Sequence, residues 1–171
     1  MVELIRQNMK VNKKIFKDVE NKLRKNLEKS VPIDHVGSTA IPNMCGKNII
    51  DIVIGAKDSN DFHKINEIVE SEGFVASKKS KDEIYQFFSS IAGETGSGDV
   101  HIHVVVMNTD RYSEFLILRD YLLLNKSEAK AYSNFKKEIL HLGNEDRREY
   151  KRVKSEYVSS LLERAKQEYN K

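Results

Sequence analysis

The residues that most constrain this chain form one segment, residues 31–55, which reads VPIDHVGSTAIPNMCGKNIIDIVIG. It opens with a short apolar stretch that predicts a β-strand and leads into Gly37 and Ser38. After a loop comes a β-branched run, residues 49–54, which predicts a second and stronger strand containing one acid, Asp51. The segment therefore predicts two strands joined by a glycine turn, with a single carboxylate inside the second strand.

A glycine-serine turn beside an acidic strand is typical of a site that handles phosphate. Glycine lets the backbone approach a phosphate closely and adopt a positive φ. The hydroxyls of Ser38 and Thr39, with nearby N–H groups, are donors for phosphate oxygens. Lys47 either adds a positive charge to such a site or is a solvated lysine of the loop. The carboxylate of Asp51 suits a cation that neutralises the phosphate. The alternative interpretation of Gly37 and Ser38 is a tight turn whose serine only caps a helix start.

The same segment resembles the GrpB family, whose members look like small relatives of the nucleotidyltransferase superfamily that includes DNA polymerase β. The family pattern is roughly H-V-G-S-T-A-V-P-G-L-x-x-K-P-I-I-D-I, and residues 35–42, Lys47 and residues 49–52 follow it closely. Asn43 and Asn48 depart from it, since the family has Gly and Pro at these positions. These changes alter the stiffness of the loop more than its chemistry.

One residue departs from the wider superfamily. Nucleotidyltransferases pair the Gly-Ser turn with a strand that reads Asp-x-Asp or Asp-x-Glu, whereas here Val53 occupies the second acidic position after Asp51. Two-metal phosphoryl transfer needs several carboxylates to hold its cations, so the usual metal cage is incomplete on this strand. A single divalent metal bound through Asp51, waters and ligand phosphates is still expected from the resemblance.

Later residues extend the resemblance to about residue 160. The matching positions are LRDYL at 118–122, the pairs Tyr132/Lys136 and Tyr150/Lys154, and the strand residues His101 and His103. Surface or packing contacts explain most of the signal from the tyrosine-lysine pairs. For Arg119 two roles are open: an ion pair with Asp120 that fixes helix packing, or a guanidinium that faces the ligand cleft.

The histidines permit several kinds of chemistry. His101 and His103 are two residues apart, so both project from one face of their predicted strand. Together with Asp51, and with His35 nearby, they form a donor set for a transition metal or a group for acid–base catalysis. Alternation of polar residues on a half-exposed strand also explains them. We expect these side chains and Ser38 to converge on one pocket that is open to water.

The remaining pattern predicts an α/β (α+β) fold in a single domain, residues 1–171. The first predicted elements are a helix at 12–29 and strands at 31–36 and 49–54. A second helix is predicted to start at the cap cluster 58–61 and to run through Glu70, with Gly73 as its stop signal. Residues 83–91 and 100–107 predict the two strands of a hairpin joined by GETGSGD. Residues 111–169 predict two or three helices with breaks near 125–127 and 143–144. The resemblance implies a small mixed nucleotidyltransferase-like sheet over about residues 1–110, flanked by helices and followed by a helical C-terminal half.

The amino-acid composition limits the kinds of binding partner that we expect for this protein. The net charge of +3 over 171 residues permits an anionic ligand but falls well short of the basic excess of a dedicated nucleic-acid binder. No apolar run approaches the ~18 residues that span a bilayer, and the N-terminus lacks a signal-peptide core, so a cytoplasmic location without a membrane partner is expected. Cys45 is the one cysteine, which excludes an internal disulfide. The sequence is compatible with a homodimer as well as with a monomer.

The resemblance and the residues together imply a GrpB-family, nucleotidyltransferase-like protein that binds a nucleotide or another phosphate-bearing small molecule with a divalent metal, Mg²⁺ or Mn²⁺, with Zn²⁺ as the alternative. The expected phosphate contacts are Gly37, Ser38, Thr39, Lys47 and Arg119. The expected metal ligands are Asp51, His101 and His103, and the expected catalytic groups are Ser38, Asp51, His35, His101 and His103. Two other classes stay open: a non-catalytic ligand-sensing module derived from a transferase, and a metal-dependent hydrolase centred on the histidines and Asp51.

Overall fold

The structure is a computed structural model that describes residues 4–90 and 99–169. Its fold is mixed α/β, as predicted. In chain order the elements are β1 (Ile5–Arg6), α1 (Met9–Leu23), β2 (Ile33–Val36), a 3₁₀ turn (Ser38–Ala40), β3 (Cys45–Gly46), β4 (Ile50–Ala56), α2 (Ser59–Ser71), β5 (Val75–Asp82), β6 (Tyr85–Ser89), β7 (Val100–Val106), α3 (Asp110–Leu124), α4 (Lys126–Glu138), α5 (Leu140–Glu145) and α6 (Arg147–Tyr169).

A mixed sheet forms the centre of the molecule. Within the described residues it has five strands in the order β2-β4-β7-β6-β5, while β1 and β3 form a separate two-stranded ladder. The pair β4 and β7 is parallel, and the other neighbours in the five-stranded sheet are antiparallel. The register of the parallel pair sets Asp51 opposite His101 and Val53 opposite His103. Residues far apart in the chain therefore become direct neighbours.

The two faces of this sheet pack against different helices, because successive side chains along a strand point to opposite faces. One face, which includes Ile52, Ile54 and Ile102, is buried together with Leu23 at the end of α1 and Phe62 of α2. The other face packs under α3. Its buried cluster consists of Val36, Val53 and Val105, with Tyr112, Phe115 and Leu116 of α3 partly buried against them.

The first two helices follow their sequence signals, although α1 both begins and ends earlier in the chain than the predicted range 12–29. α1 begins after Asn8, whose side chain accepts a hydrogen bond from the Val11 N–H, and it ends at Leu23 rather than at the predicted residue 29. A turn follows it, and this turn lets Leu27 reach the core beside Leu23. α2 begins after Asp58, which accepts from the Asp61 N–H, and the chain leaves it through a glycine at positive φ, as predicted.

The sequence does not predict β5, whose residues VASKKSKD are largely exposed. This segment becomes a strand because it pairs with β6 at the edge of the sheet. Lysines suit such an edge, since their charge discourages pairing with other chains. The predicted pairing of β6 and β7 is confirmed, although most of their GETGSGD connection lies outside the described residues.

The C-terminal half is helical, as predicted, but its breaks differ. The chain leaves α3 at Asn125, close to the predicted break. Residues 143–144 lie inside α5, and the interruptions fall at Ile139 and Asp146 instead. In the described ranges, none of the helices combines the length and the apolar composition that crossing a lipid bilayer requires.

Candidate functional site

The acid and two of the histidines meet on the face of the sheet beneath α3. Asp51 of β4 lies opposite Val36 of β2 on one side and opposite His101 of β7 on the other, so these three side chains share one face of the sheet. The Nδ1 of His101 lies 3.2 Å from Oδ1 of Asp51, and the Nε2 of His103 lies 4.0 Å from the same oxygen. On the far side of His103, its Nδ1 lies 2.9 Å from the Tyr85 hydroxyl. The result is a polar row that runs from β4 across β7 to β6.

The charge state of Asp51 follows from these neighbours. Burial alone would raise the pKa of the Asp51 carboxyl. The imidazoles of His101 and His103 outweigh that effect, because their hydrogen bonds and charge favour the carboxylate, and they hold the pKa well below its usual range. Asp51 is therefore an anion at neutral pH, and its Oδ1 accepts a hydrogen bond from the imidazole of His101.

The glycine-serine turn lies directly beside this carboxylate. Gly37 has a φ of 70°, and a Cβ built on it would collide with Oδ2 of Asp51. In the same way, a Cβ on Gly46 would collide with the hydroxyl of Ser38. Both glycines thus permit a close approach that no larger residue allows. The turn, the serine hydroxyl and the acid belong to one site.

A cavity of about 670 Å³ opens above these residues. The sheet face with Asp51, His101 and His103 forms one wall, together with the turn at Gly37 and Ser38. Side chains of the C-terminal helices complete it. They include Arg119, Phe115 and Leu118 of α3, Tyr132 and Lys136 of α4, and Tyr150, Lys154 and Val158 of α6. The cavity therefore joins the sheet to the helical half.

Both tyrosine-lysine pairs face this cavity, although the sequence pattern favours packing or surface contacts. Lys136 is only 3% exposed, and its ammonium group donates to the carbonyl of Cys45 and lies 4.6 Å from the centre of the Tyr132 ring. Burial, with a smaller contribution from Lys154, lowers the pKa of Lys136 to about 7. The repeated i,i+4 spacing of Tyr and Lys was the available signal, but the spacing alone does not show which face of a helix is covered.

Arg119 and Lys47 both line the cavity. The guanidinium of Arg119 donates to Asp34 at 2.8 Å and to Asp120 at 2.7 Å. Burial opposes its charge, yet these two carboxylates raise the pKa of Arg119 above its usual value. The ion pair that fixes helix packing is thus present, and the guanidinium also borders the cleft. Its charge is already balanced by carboxylates, so it is a weaker candidate for a phosphate contact.

His35 and Thr39 do not join the site. His35 pairs with Ile52, which puts its side chain on the opposite face of the sheet from Asp51. There its ring stacks on Phe16 of α1, with centroids 5.0 Å apart, and its Nε2 lies 3.0 Å from the Thr39 hydroxyl. Thr39 is fully buried. The expectation that His35 lines the cleft and that the Thr39 hydroxyl faces a phosphate is therefore wrong, because strand alternation turns the first away and the 3₁₀ turn buries the second.

The expected metal ligands come together, but their arrangement does not fit a metal. Among the described residues, no group of three or more His, Cys, Asp or Glu side chains is placed to hold an ion. The two imidazole nitrogens nearest Asp51 approach the same carboxylate oxygen instead of a shared point in the cavity. Val53, at the second acidic position of the superfamily, is fully buried in an apolar cluster.

The fold belongs to a known class of structure: it is nucleotidyltransferase-like. The structure superimposes on the Cid1 poly(U) polymerase in its MgGTP complex with a TM-score of 0.52 and 12% sequence identity. That match covers 82% of this chain and 44% of the polymerase. At such low identity the likeness concerns the fold alone.

Within that class, the chain belongs to the GrpB family: the family model described as GrpB protein matches residues 2–164. The crystal structure of the conserved protein GrpB from Enterococcus faecalis superimposes with a TM-score of 0.82 over 99% of this chain and 100% of that one, at 18% identity. A UPF0157 protein of Halalkalibacterium halodurans is 28% identical over 89% of this chain and 76% of its own length. A UPF0157 protein of Pseudomonas aeruginosa is 32% identical over 78% of this chain but only 54% of its own length.

Proposed function

We propose that this protein binds a nucleotide or another phosphate-bearing small molecule in the cavity between the sheet and the C-terminal helices. The single observation that carries the proposal is that the turn of Gly37 and Ser38 opens onto the same cavity as Lys136 and Lys154. The glycine backbone and the serine hydroxyl supply hydrogen-bond donors for phosphate oxygens. The lysines supply positive charge for the same group.

The size and lining of the cavity support a small-molecule ligand. Its volume of about 670 Å³ falls inside the ~300–1,000 Å³ range of small-molecule sites. Apolar side chains border it on the side of the helices and of the loop before β4. They include Ile41, Met44, Leu118, Leu122 and Val158. We assign this side to the apolar part of the ligand, such as a nucleobase, and the side near Ser38 to its phosphates.

Binding without transfer is the form of the proposal that the site favours. Val53 stands where the second acid of the superfamily would lie, so the carboxylates that two-metal transfer requires are incomplete. Nucleotidyl transfer is the second candidate, and the fold shared with the Cid1 polymerase supports it. In that case the row formed by Asp51, His101 and His103 would accept the proton of an attacking hydroxyl.

Isothermal titration of the protein with ATP, GTP, CTP and UTP in Mg²⁺ buffer tests the proposal. At least one triphosphate is expected to bind, and Ser38→Ala should raise its Kd about tenfold or more, because one hydrogen bond to a charged group contributes ~1.5–3 kcal/mol. Ser155→Ala, an exposed serine on α6, serves as the control and should bind as the wild type does. The absence of any binding heat with all four triphosphates would contradict the proposal.

Transfer is tested separately with α-labelled triphosphates and a panel of hydroxyl acceptors. Label that becomes covalently attached to an acceptor, and that is lost in His101→Ala while binding persists, would establish the second candidate. Nucleotide that binds but is recovered unchanged supports the ligand-sensing function.

A further inference from the structure

The strand position that normally completes a metal cage is closed to water in this protein. Val53 lies two residues after Asp51 on the same face of β4, and its side chain has no exposed surface. It packs with Val36 and Val105 beneath the aromatic side chains of α3. A carboxylate at this point would be buried in a cluster of apolar side chains, with only the imidazole of His103 opposite it. The local packing is therefore built for an apolar residue.

Both oxygens of the one carboxylate that remains on this strand have close protein neighbours. Oδ1 of Asp51 accepts from the imidazole of His101 at 3.2 Å and faces Nε2 of His103 at 4.0 Å. Oδ2 lies so close to the backbone of Gly37 that a Cβ there would overlap it. A hard divalent cation prefers several oxygen ligands around it. Here Oδ1 of Asp51 accepts from one imidazole instead, and Oδ2 lies against the backbone of a glycine.

Two lysines face this carboxylate from the helical side of the cavity. Lys136 is buried and anchored through the carbonyl of Cys45, and Lys154 is close enough to lower the pKa of Lys136 further. In the described part of the chain neither lysine forms an ion pair with a carboxylate. Two other charged groups at the cavity wall do have partners of opposite charge: Arg119 is paired with Asp34 and Asp120, and Glu114 with Lys166.

Two neighbouring ammonium groups in one cavity repel each other, and burial makes the charge of Lys136 more costly still. An anion bound between them removes both penalties. Such a ligand gains charge-assisted hydrogen bonds, which are stronger than neutral ones. The two lysines thus offer the phosphate the positive charge that divalent cations supply in two-metal sites.

From this arrangement we infer that the ammonium groups of Lys136 and Lys154, rather than a divalent cation held by Asp51, neutralise the phosphate of the ligand, so that binding does not require a metal. The inference rests on the proposed phosphate-binding function. A site of this kind differs from the metal cage of the superfamily in one measurable respect: chelation of divalent ions should leave its affinity for the phosphate ligand unchanged.

The test is titration of ATP, GTP, CTP and UTP into the protein with excess EDTA and, in parallel, with Mg²⁺. For a triphosphate that binds, the two Kd values should agree within about threefold. Lys136→Met should raise Kd about tenfold or more in EDTA, because a charge-assisted hydrogen bond is worth ~1.5–3 kcal/mol. Lys137→Met, the next residue on α4 and exposed, is the matched control and should change Kd little.

Two further variants keep the inference falsifiable. Circular dichroism and thermal melting show whether Lys136→Met folds. If it does not, Lys154→Met provides a second test, and it too should weaken triphosphate binding in EDTA. Asp51→Asn should keep or increase the affinity, since it removes a negative charge from the cavity.

The outcomes separate the inference from the proposed function. Binding that appears only with Mg²⁺, or that Asp51→Asn abolishes in a folded protein, would overturn the inference and leave phosphate binding intact. Unchanged affinity in both lysine variants would also overturn it. If no triphosphate binds in either buffer, the proposed function is wrong and the inference falls with it.

Discussion

At the scale of single residues, Gly37 shows how closely the backbone and the chemistry of the site are joined. Its φ of 70° lies in the left-handed region, and its missing side chain leaves the space that the carboxylate of Asp51 occupies. Two separate constraints therefore act on one position. Gly73 shares only the first of them, because it has a φ of 86° but open space where a Cβ would lie.

This difference allows a matched comparison of two glycine variants. Gly73→Ala should lower the free energy of unfolding by about 1 kcal/mol, the cost of a left-handed residue with a side chain. Gly37→Ala should lower it by about 2–4 kcal/mol, because the same strain is joined by a collision with Asp51. Urea denaturation measures both values. Equal losses in the two variants would mean that the turn moves away from Asp51 at little cost.

Lys136 is the second residue whose setting is costly. Its ammonium group is buried with a carbonyl and a tyrosine ring as partners, which is weak compensation for a charge removed from water. Perturbed titratable groups of this kind cluster at functional sites. For that reason Lys136, which sequence patterns assign to packing, becomes a leading candidate in the cavity.

At the scale of elements, the loop that leads from the turn to β4 is held from two directions. The N-terminal segment pairs with it through β1 and through Gln7, whose side-chain amide donates to the Gly46 carbonyl. Helix α4 holds it through Ser133, which accepts from the Cys45 N–H, and through Lys136, which donates to the Cys45 carbonyl. These contacts fix the distance between the sheet and the C-terminal helices. They thereby define the shape of the cavity.

The contact between β2 and α1 leads to a prediction about how the stability of the protein depends on pH. Burial against Phe16 lowers the pKa of His35 to about 4, with Asp51 partly opposing the shift, whereas an unfolded histidine titrates near ~6.5. Between these values the unfolded chain binds more protons, so stability rises with pH through this window and is lost as the pH falls from 6.5 towards 4.

The measurement compares the wild type with His35→Gln, which has no charge to gain. The free energy of unfolding of the wild type, minus that of the variant, should fall as the pH is lowered from 6.5 to 4.5. Above pH 7.5 the difference should be constant, because His35 is then neutral in both states. A difference that stays flat across the whole range would show that His35 takes up its proton in the folded protein as readily as in the unfolded chain.

At the scale of the whole molecule, the cavity lies where separate apolar clusters meet. One cluster lies under α1 and α2, a small one lies under α3, and a third joins the C-terminal helices to the loop residues Ile41 and Met44. Because that loop packs with the helical cluster while it leads into the central strand β4, the sheet and the helical half share structural elements. We therefore expect the chain to unfold as a single cooperative unit.

Leu161 tests this expectation because it is fully buried in the helical cluster on α6. Leu161→Ala should lower the free energy of unfolding by about 2–5 kcal/mol, and calorimetry should still show one transition, shifted as a whole. Leu124→Ala is the control: its side chain is 80% exposed, so the change should stay within about 0.5 kcal/mol. Two transitions, of which Leu161→Ala moves only one, would contradict a single domain.

Local sequence patterns were sufficient for most of the fold. The β-branched run around Asp51, the Asp58 cap and the break at Asn125 each depend on neighbours a few residues away, and the structure has all three. The edge strand β5 escaped prediction because its lysine-rich residues carry no apolar alternation. It exists only because β6 offers it a partner.

For the site, the sequence by itself determined the glycine turn, the lone acid and the shared face of His101 and His103, because turn chemistry and strand alternation are local. Only the tertiary structure decided that His35 faces away, since the register between β2 and β4 sets its side of the sheet. It also decided that Lys136 and Lys154 enter the cavity. The covered face of a helix depends on packing with distant elements, and a local spacing of residues does not encode it.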